Sequence, residues 1–234
     1  MKKILSCVLT LLMSAAVFAQ HSDGERRWFA GAHVGTNYVV GDNISDHPAF
    51  KYFSNAIGMD GGVYVGKYLT PSVGCRLDIT YGKAHNRGDV EFVENDKAFV
   101  NSFKNHGYYS FNVLQAGADG LYDFTSRSRR HISDPFHVIG VLGLGVWSTS
   151  SYKLSALPGA EMTSADGLKV IAPEGGSTSA YGRLGCILDY RASDNLSFNL
   201  EGNLNVMGDK FDGIDFDEAV DFMIRLQLGA TYYF

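Results

Sequence analysis

From 221 to 234 the chain alternates with a period of two. Phe222, Ile224, Leu226, Leu228, Ala230, Tyr232 and Phe234 fall on one side, and Met223, Arg225, Gln227, Gly229, Thr231 and Tyr233 on the other. That spacing is a strand's and not a helix's. The apolar side is unbroken while the opposite side carries an arginine and a glutamine. Such a strand suits a wall with lipid outside and an enclosed polar lumen inside.

The same pattern recurs upstream. A strand over 27–39 sets Trp28, Ala30, Ala32, Val34, Thr36 and Tyr38 against Phe29, Gly31, His33, Gly35 and Asn37. Over 57–69, Met59, Gly61, Val63 and Val65 oppose Asp60, Gly62, Tyr64 and Gly66, with Lys67 on the lipid side beside a turn. Over 73–84, Val73, Cys75, Leu77, Ile79 and Tyr81 face out, and Gly74, Arg76, Asp78, Thr80 and Gly82 face in. A strand over 108–124 turns Leu114, Ala116, Ala118 and Tyr122 outward and Gln115, Gly117 and Asp119 inward, its first half giving no clear parity. The run 136–148 is apolar on both faces; Gly140, Gly143 and Gly145 favour strand over buried helix. Over 178–191, Ala180, Leu184, Cys186 and Leu188 oppose Tyr181, Arg183, Gly185 and Asp189. Over 196–206 every even position is apolar or Gly202, and every odd one is Ser197, Asn199, Glu201, Asn203 or Asn205.

These elements predict an all-β fold, an antiparallel up-and-down transmembrane β-barrel of about eight strands. Segments after odd strands are long (40–56, 85–107, 149–177, 207–220), and those after even strands shorter (70–72, 125–135, 192–195). That asymmetry puts long loops outside the cell and, with an even strand count, both termini in the periplasm.

Composition agrees. Twenty-seven glycines, 13 tyrosines and 15 phenylalanines in 234 residues are unlike a helical soluble protein, and a mean hydropathy of -0.06 is what alternation averages to. At the start, Lys2 and Lys3 precede an apolar run from Ile4 to Phe18 and a small-residue site at Ala19, the pattern of a Sec export signal cleaved after residue 19. Ile4, Leu5 and Ser6 are too few to form the apolar core of a lipoprotein leader before Cys7. The expected organisation is therefore a signal peptide over 1–19, a periplasmic segment over 20–26 and a barrel over 27–234. A net charge of -5, more negative once the leader's lysines are gone, argues against nucleic acid as a partner. Cys75 and Cys186 read as lipid-facing on non-neighbouring strands, so no disulfide is expected between them.

The leader, the alternating strands, the hairpin GKYLTPSVGCRLDITYGKA around Pro71 and the GATYYF terminus together resemble the small outer-membrane barrels of the OmpA transmembrane-domain and OmpX kind. The resemblance covers about 27–234. It implies residence in the outer membrane of a Gram-negative bacterium, among outer-membrane lipid and lipopolysaccharide. It also implies that Tyr232 and Phe234 serve as the C-terminal signal read by the barrel-assembly machinery. No peptidoglycan-binding domain follows Phe234, so cell-wall anchoring is not implied. Expected roles are, in order, a structural or surface-interaction protein whose loops meet an extracellular ligand or protein, a small porin-like channel, and a lipid A-modifying enzyme.

Inward charges form the main candidate site: Asp60, Arg76, Asp78, Asp119, Arg183, Asp189, Glu201 and Arg225. In so narrow a barrel they must pair, which favours a salt-bridged plug over an ion path. Asp209, Asp212, Asp215 and Asp217 could attract a hard cation, but they lack the spacing of a calcium loop, so no metal site and no cofactor are expected. His85, His106, Ser110, Ser148 and Asp89 lie at the outer ends of strands, yet nothing in the sequence sets a base beside a nucleophile; the expectation is no enzyme. His33 reads as a hydrogen-bonded lumen residue. Aromatic residues are expected in two interfacial girdles, Tyr68, Tyr122, Phe124, Tyr190, Tyr232 and Phe234 at one end and Tyr38, Tyr81 and Tyr109 at the other.

Overall fold

The computed structural model describes residues 28–40, 57–89, 106–125, 135–155, 176–208, 211 and 220–234. The expected signal peptide, the 20–26 segment and most of the four long connections lie outside them. Eight strands form one closed antiparallel barrel in chain order: β1 (Trp28–Val40), β2 (Ile57–Tyr68), β3 (Val73–Asp89), β4 (His106–Asp123), β5 (Phe136–Ser155), β6 (Thr178–Arg191), β7 (Leu196–Gly208) and β8 (Val220–Tyr233). β1 closes the ring on β8, with Phe29 opposite Tyr233 and Val40 opposite Phe222. Closure leaves no strand edge, so backbone groups are paired all round the wall.

Alternation decides which side faces where. Leu144 is 74% exposed and Val34 67%, whereas Glu201 and Arg183 retain 2% each. Apolar side chains thus clothe the outside, and the charged ones fill the inside. No helix among the described residues is long and apolar enough to cross a membrane; the strands carry the apolar belt.

Two tight turns close one end. At 69–72 the Thr70 hydroxyl accepts hydrogen bonds from the backbone N–H of Ser72 and Val73, at 3.3 and 2.9 Å. At 192–195 the Ser193 hydroxyl accepts from the Leu196 N–H at 3.2 Å. The start of β1 joins this end too, since the Phe234 N–H donates to the Trp28 carbonyl at 2.9 Å. We call it the turn end, and the opposite one the long-loop end.

The structure corrects the sequence reading at the long-loop end. β3 and β4 run on as a paired ladder to Asp89 opposite His106, and β5 continues to Ser155, where loops were expected from 85 and 149. The polar stretches HNRGD and SYKLS show no period of two in the sequence, yet their backbones stay in the ladder. The unclear parity at the start of β4 has a cause. Phe111 and Val113 are apolar yet share the odd, inward parity of Gln115 and Asp119, Phe111 with no exposed surface, which hides the period. The β4–β5 register also shifts here: two steps of β4, Ser110 to Asn112, match three of β5, Ser150 to Lys153, a β-bulge on β5 where Ser151 takes a φ of 58°.

Outside the wall, ring pairs Tyr122–Phe124 and Phe136–Tyr190, each with centroids 5.0 Å apart, and Tyr232–Phe234 at 5.3 Å surround the turn end. Lys67 holds its ammonium 4.9 Å from the Trp28 ring centroid, which keeps the charge at the edge of the apolar belt. Tyr68 is a second correction. Expected in this girdle, it sits on the even, inward side of β2, buried with its ring 5.5 Å from that of Phe29. At the long-loop end Tyr81 is exposed on the outer face, and the side chain of Tyr109 lies outside the described residues. Cys75 and Cys186 are free thiols on the outer face.

Candidate functional site in the barrel lumen

The lumen is filled in three tiers. Nearest the turn end, Phe29, Tyr64, Tyr68, Leu121, Ile139, Val141, Ile187 and Tyr233 form an apolar and aromatic floor. Nearest the long-loop end, Val39, Ala84, Phe111, Val113, Trp147, Tyr181, Met207, Phe211 and Met223 form a ceiling. Phe211 comes from the connection after β7, and its ring meets Phe111 and Trp147 edge-on at 5.5 and 5.0 Å. The charges lie between these tiers.

Arg76 on β3 reaches across the barrel. Its Nε–H donates to Asp119 Oδ2 at 2.8 Å and one Nη to Glu201 Oε2 at 2.7 Å, while its other Nη pairs with Glu201 Oε1. This is the bidentate geometry that suits guanidinium and carboxylate. Asp119 Oδ2 is shared, because Arg183 also donates to it at 2.9 Å. Arg183 further donates to Asp78 Oδ1 at 3.0 Å, to the Tyr181 hydroxyl at 2.9 Å and to Asn205 Oδ1 at 3.3 Å. A second centre gathers on Asp60, which accepts from Arg225 at 3.1 and 3.3 Å, from Gln227 at 2.9 Å and from Asn37 at 3.1 Å. Arg225 spends its remaining Nη on Gln115 Oε1 at 3.0 Å. Seven of the eight inward charges therefore join two cross-lumen clusters.

Asp189 stands apart. It lies at the turn end and accepts a hydrogen bond from the Ser197 hydroxyl at 2.6 Å. Beside it in register is His137, whose Nδ1 lies 2.8 Å from Asp123 Oδ2. That pair was not singled out from the sequence, although parity on β4 and β5 turns both residues inward. His33 contacts the Thr80 hydroxyl at 3.2 Å through Nε2 and stacks on Tyr64, with Nδ1 3.8 Å from Asp78 Oδ2. The amides Gln115, Asn199, Asn203 and Gln227, also missing from the sequence-derived site, supply the donors and acceptors that the charges leave over. Asn203 donates to Glu201 Oε1 at 2.8 Å, and Asn199 to the Tyr64 and Thr231 hydroxyls at 3.1 and 2.9 Å.

Room for these side chains is made by glycine. A Cβ on Gly143 would collide with Asp119 Oδ1, and one on Gly31 with the Tyr64 ring. Among the described residues no group of His, Cys, Asp and Glu is placed to hold a metal ion. Asp209, Asp212, Asp215 and Asp217 lie outside the described residues. Of the residues weighed for catalysis, His85 faces Ser110 across the β3–β4 ladder. Ser148 is engaged elsewhere, accepting from the Thr178 hydroxyl at 3.1 Å. The side chains of His106 and Asp89 lie outside the described residues.

No family model and no curated protein sequence matches the chain. Among solved structures it is similar to Neisserial surface protein A, at 14% identity and a TM-score of 0.50, over 88% of this chain and 97% of that one. It is also similar to a major outer membrane protein from Thermus thermophilus, at 15% identity and a TM-score of 0.50, over 89% of this chain and 99% of that one. The chain has the fold of the small eight-stranded outer-membrane barrels. Those similarities bear on the fold alone. What the lumen can do follows from its own packing: buried guanidiniums tied to carboxylates on opposite walls, with apolar tiers above and below, span the bore from side to side.

Proposed function

We propose that this chain is an integral outer-membrane barrel that acts through its outer loops, as a structural or surface-interaction protein, and performs no chemistry of its own. One observation carries the reading. Arg76 and Arg183 share Asp119 and reach on to Glu201 and Asp78, crossing the lumen with every member buried. Removing charges from water is costly unless they are paired, so an open water path would forfeit the packing that makes these ions tolerable. A barrel of this strand number has little free bore in any case.

The fold and the apolar belt support the placement that goes with this role. The chain resides in the outer membrane of a Gram-negative bacterium after Sec export, with both termini in the periplasm and the long connections outside. Its partners on this reading are outer-membrane lipid and lipopolysaccharide, the barrel-assembly machinery acting on the strand that ends at Tyr232 and Phe234, and a ligand or protein met by the loops. Conductance across a planar bilayer tests the reading. The folded protein is expected to leave the bilayer silent while still shifting on a gel between unheated and boiled samples. Steady single-channel steps altered by Arg76→Ala with Arg183→Ala would instead establish the channel reading.

A further inference from the structure

The lumen holds more negative than positive charge. Between the turn end and Asp60, six carboxylates face inward (Asp60, Asp78, Asp119, Asp123, Asp189 and Glu201), against the guanidiniums of Arg76, Arg183, Arg191 and Arg225. Arg191 lies at the rim, over the Tyr233 ring at 5.4 Å. Below Arg76 a cavity of about 20 Å³ opens in the floor, walled by Phe29, Tyr64, Tyr68 and Tyr233 and reached by Asp189. Asp189 is 3% exposed, and its Oδ2 has no hydrogen-bond partner. A space of that size takes one water-sized particle.

We propose that this cavity is a binding site for one small monovalent cation, of the potassium or ammonium class, with Asp189 Oδ2 as its anionic ligand. Three features agree. No guanidinium is hydrogen-bonded to Asp189: Arg191, two residues on, acts on its charge from the rim, and Arg76, which lines the cavity, has its own charge committed to Asp119 and Glu201. Phenol rings attract a cation through their faces and can offer hydroxyl oxygens to it. The size admits a bare monovalent ion but not an alkylated ammonium. One carboxylate balances one positive charge, whereas sites for hard divalent ions gather several carboxylates, which is why the ion carries a single charge. The site goes beyond the surface role proposed above and does not depend on it, since a silent barrel and a conducting one could both hold the ion.

The test uses the protein purified folded from membranes. Its unfolding midpoint, read as the temperature at which heat-modifiable migration is lost, is compared in potassium, ammonium and N-methylglucamine chloride at equal ionic strength. An ion present at about ten times its dissociation constant raises the midpoint by ~3 °C for a domain of this size. The expected result is that rise in potassium or ammonium, and its absence in Asp189→Asn. Equal midpoints in all three salts overturn the proposal, as does a cation-dependent rise that survives Asp189→Asn. A midpoint indifferent to the cation that climbs only on acidification also overturns it, because protons and not a bound cation would then be balancing the excess carboxylates. Should Asp189→Asn fail to fold, crystals of the unaltered protein grown in thallium(I) acetate decide the matter. Anomalous density within the ring of Phe29, Tyr68 and Tyr233 supports the site, and its absence there rejects it.

Discussion

β5 and β7 line the same lumen with opposite chemistry. From 197 to 205 the inward side of β7 reads Ser197, Asn199, Glu201, Asn203 and Asn205, polar at every step and each buried, before Met207 joins the ceiling. Between the buried His137 and Thr149 that flank it, the inward side of β5 reads Ile139, Val141, Gly143, Gly145 and Trp147, with no polar side chain except the indole. Both strands fit because the lumen is a packed interior, and what an inward position must be is set by what reaches it from across the barrel. β7 meets Arg76, Arg183 and Tyr64, and so carries donors and acceptors. β5 contributes Ile139 and Val141 to the floor and Trp147 to the ceiling, and between them its two glycines leave the volume that Asp119 and the Tyr181 ring occupy.

The sharpest way to break this contrast is to cut the polar rail. Glu201→Ala leaves Arg76 with a buried, half-paired guanidinium and is expected to cost ~3–5 kcal/mol, read as a fall in the urea midpoint of the barrel in detergent. Filling the gap in β5 comes next. Gly143→Val pushes into Asp119 and is expected to cost ~1–3 kcal/mol by overpacking, with Gly120→Val on the outer face, where a Cβ has only ordinary contact with the Leu142 carbonyl, as the control that loses little. Making β7 resemble β5 sharpens the point. Arg76→Met combined with Glu201→Leu removes both partners at once and is expected to lose less than Glu201→Ala alone, with a coupling of at least ~1 kcal/mol in a double-mutant cycle. Simple addition of the two single losses would mean that the pair is not a unit. Smallest of all, Lys67→Ala gives up only an interfacial cation and its stacking on Trp28, below ~1 kcal/mol.

The same two strands show how far a sequence of this kind can be read. β7 and β8 alternate without interruption because lipid on one side and buried ions on the other both enforce the period. Strand parity there is legible, and with it the inward charges. β5 breaks the rule of polar inside and apolar outside, so its glycines rather than its period identified it as a strand. Pairing was not legible. Arg76 and Glu201 are 125 positions apart, and Arg225 and Asp60 are 165 apart, so the partners become visible only when the ring closes. The Asp123–His137 pair and the inward turn of Tyr68 were missed because they lie at strand ends, where one residue of parity is easily miscounted. Phe111 was missed because an apolar side chain on the inward face of β4 runs against the rule of polar inside and apolar outside. Phe211 gave no sign in an otherwise acidic connection that it reaches into the ceiling, where it is fully buried.

The central claim is that the bore is sealed by side-chain packing. Asn203 sits mid-strand on the polar rail, 4% exposed, and offers a direct probe. With Cys75→Ser and Cys186→Ser removing the outward thiols, Asn203→Cys would be treated with a small charged methanethiosulfonate reagent in the folded barrel and after unfolding. The account predicts that the folded form stays unlabelled over times in which the unfolded form reacts to completion. Labelling of the folded form at the rate of the unfolded one would show a water path past the ions and contradict it.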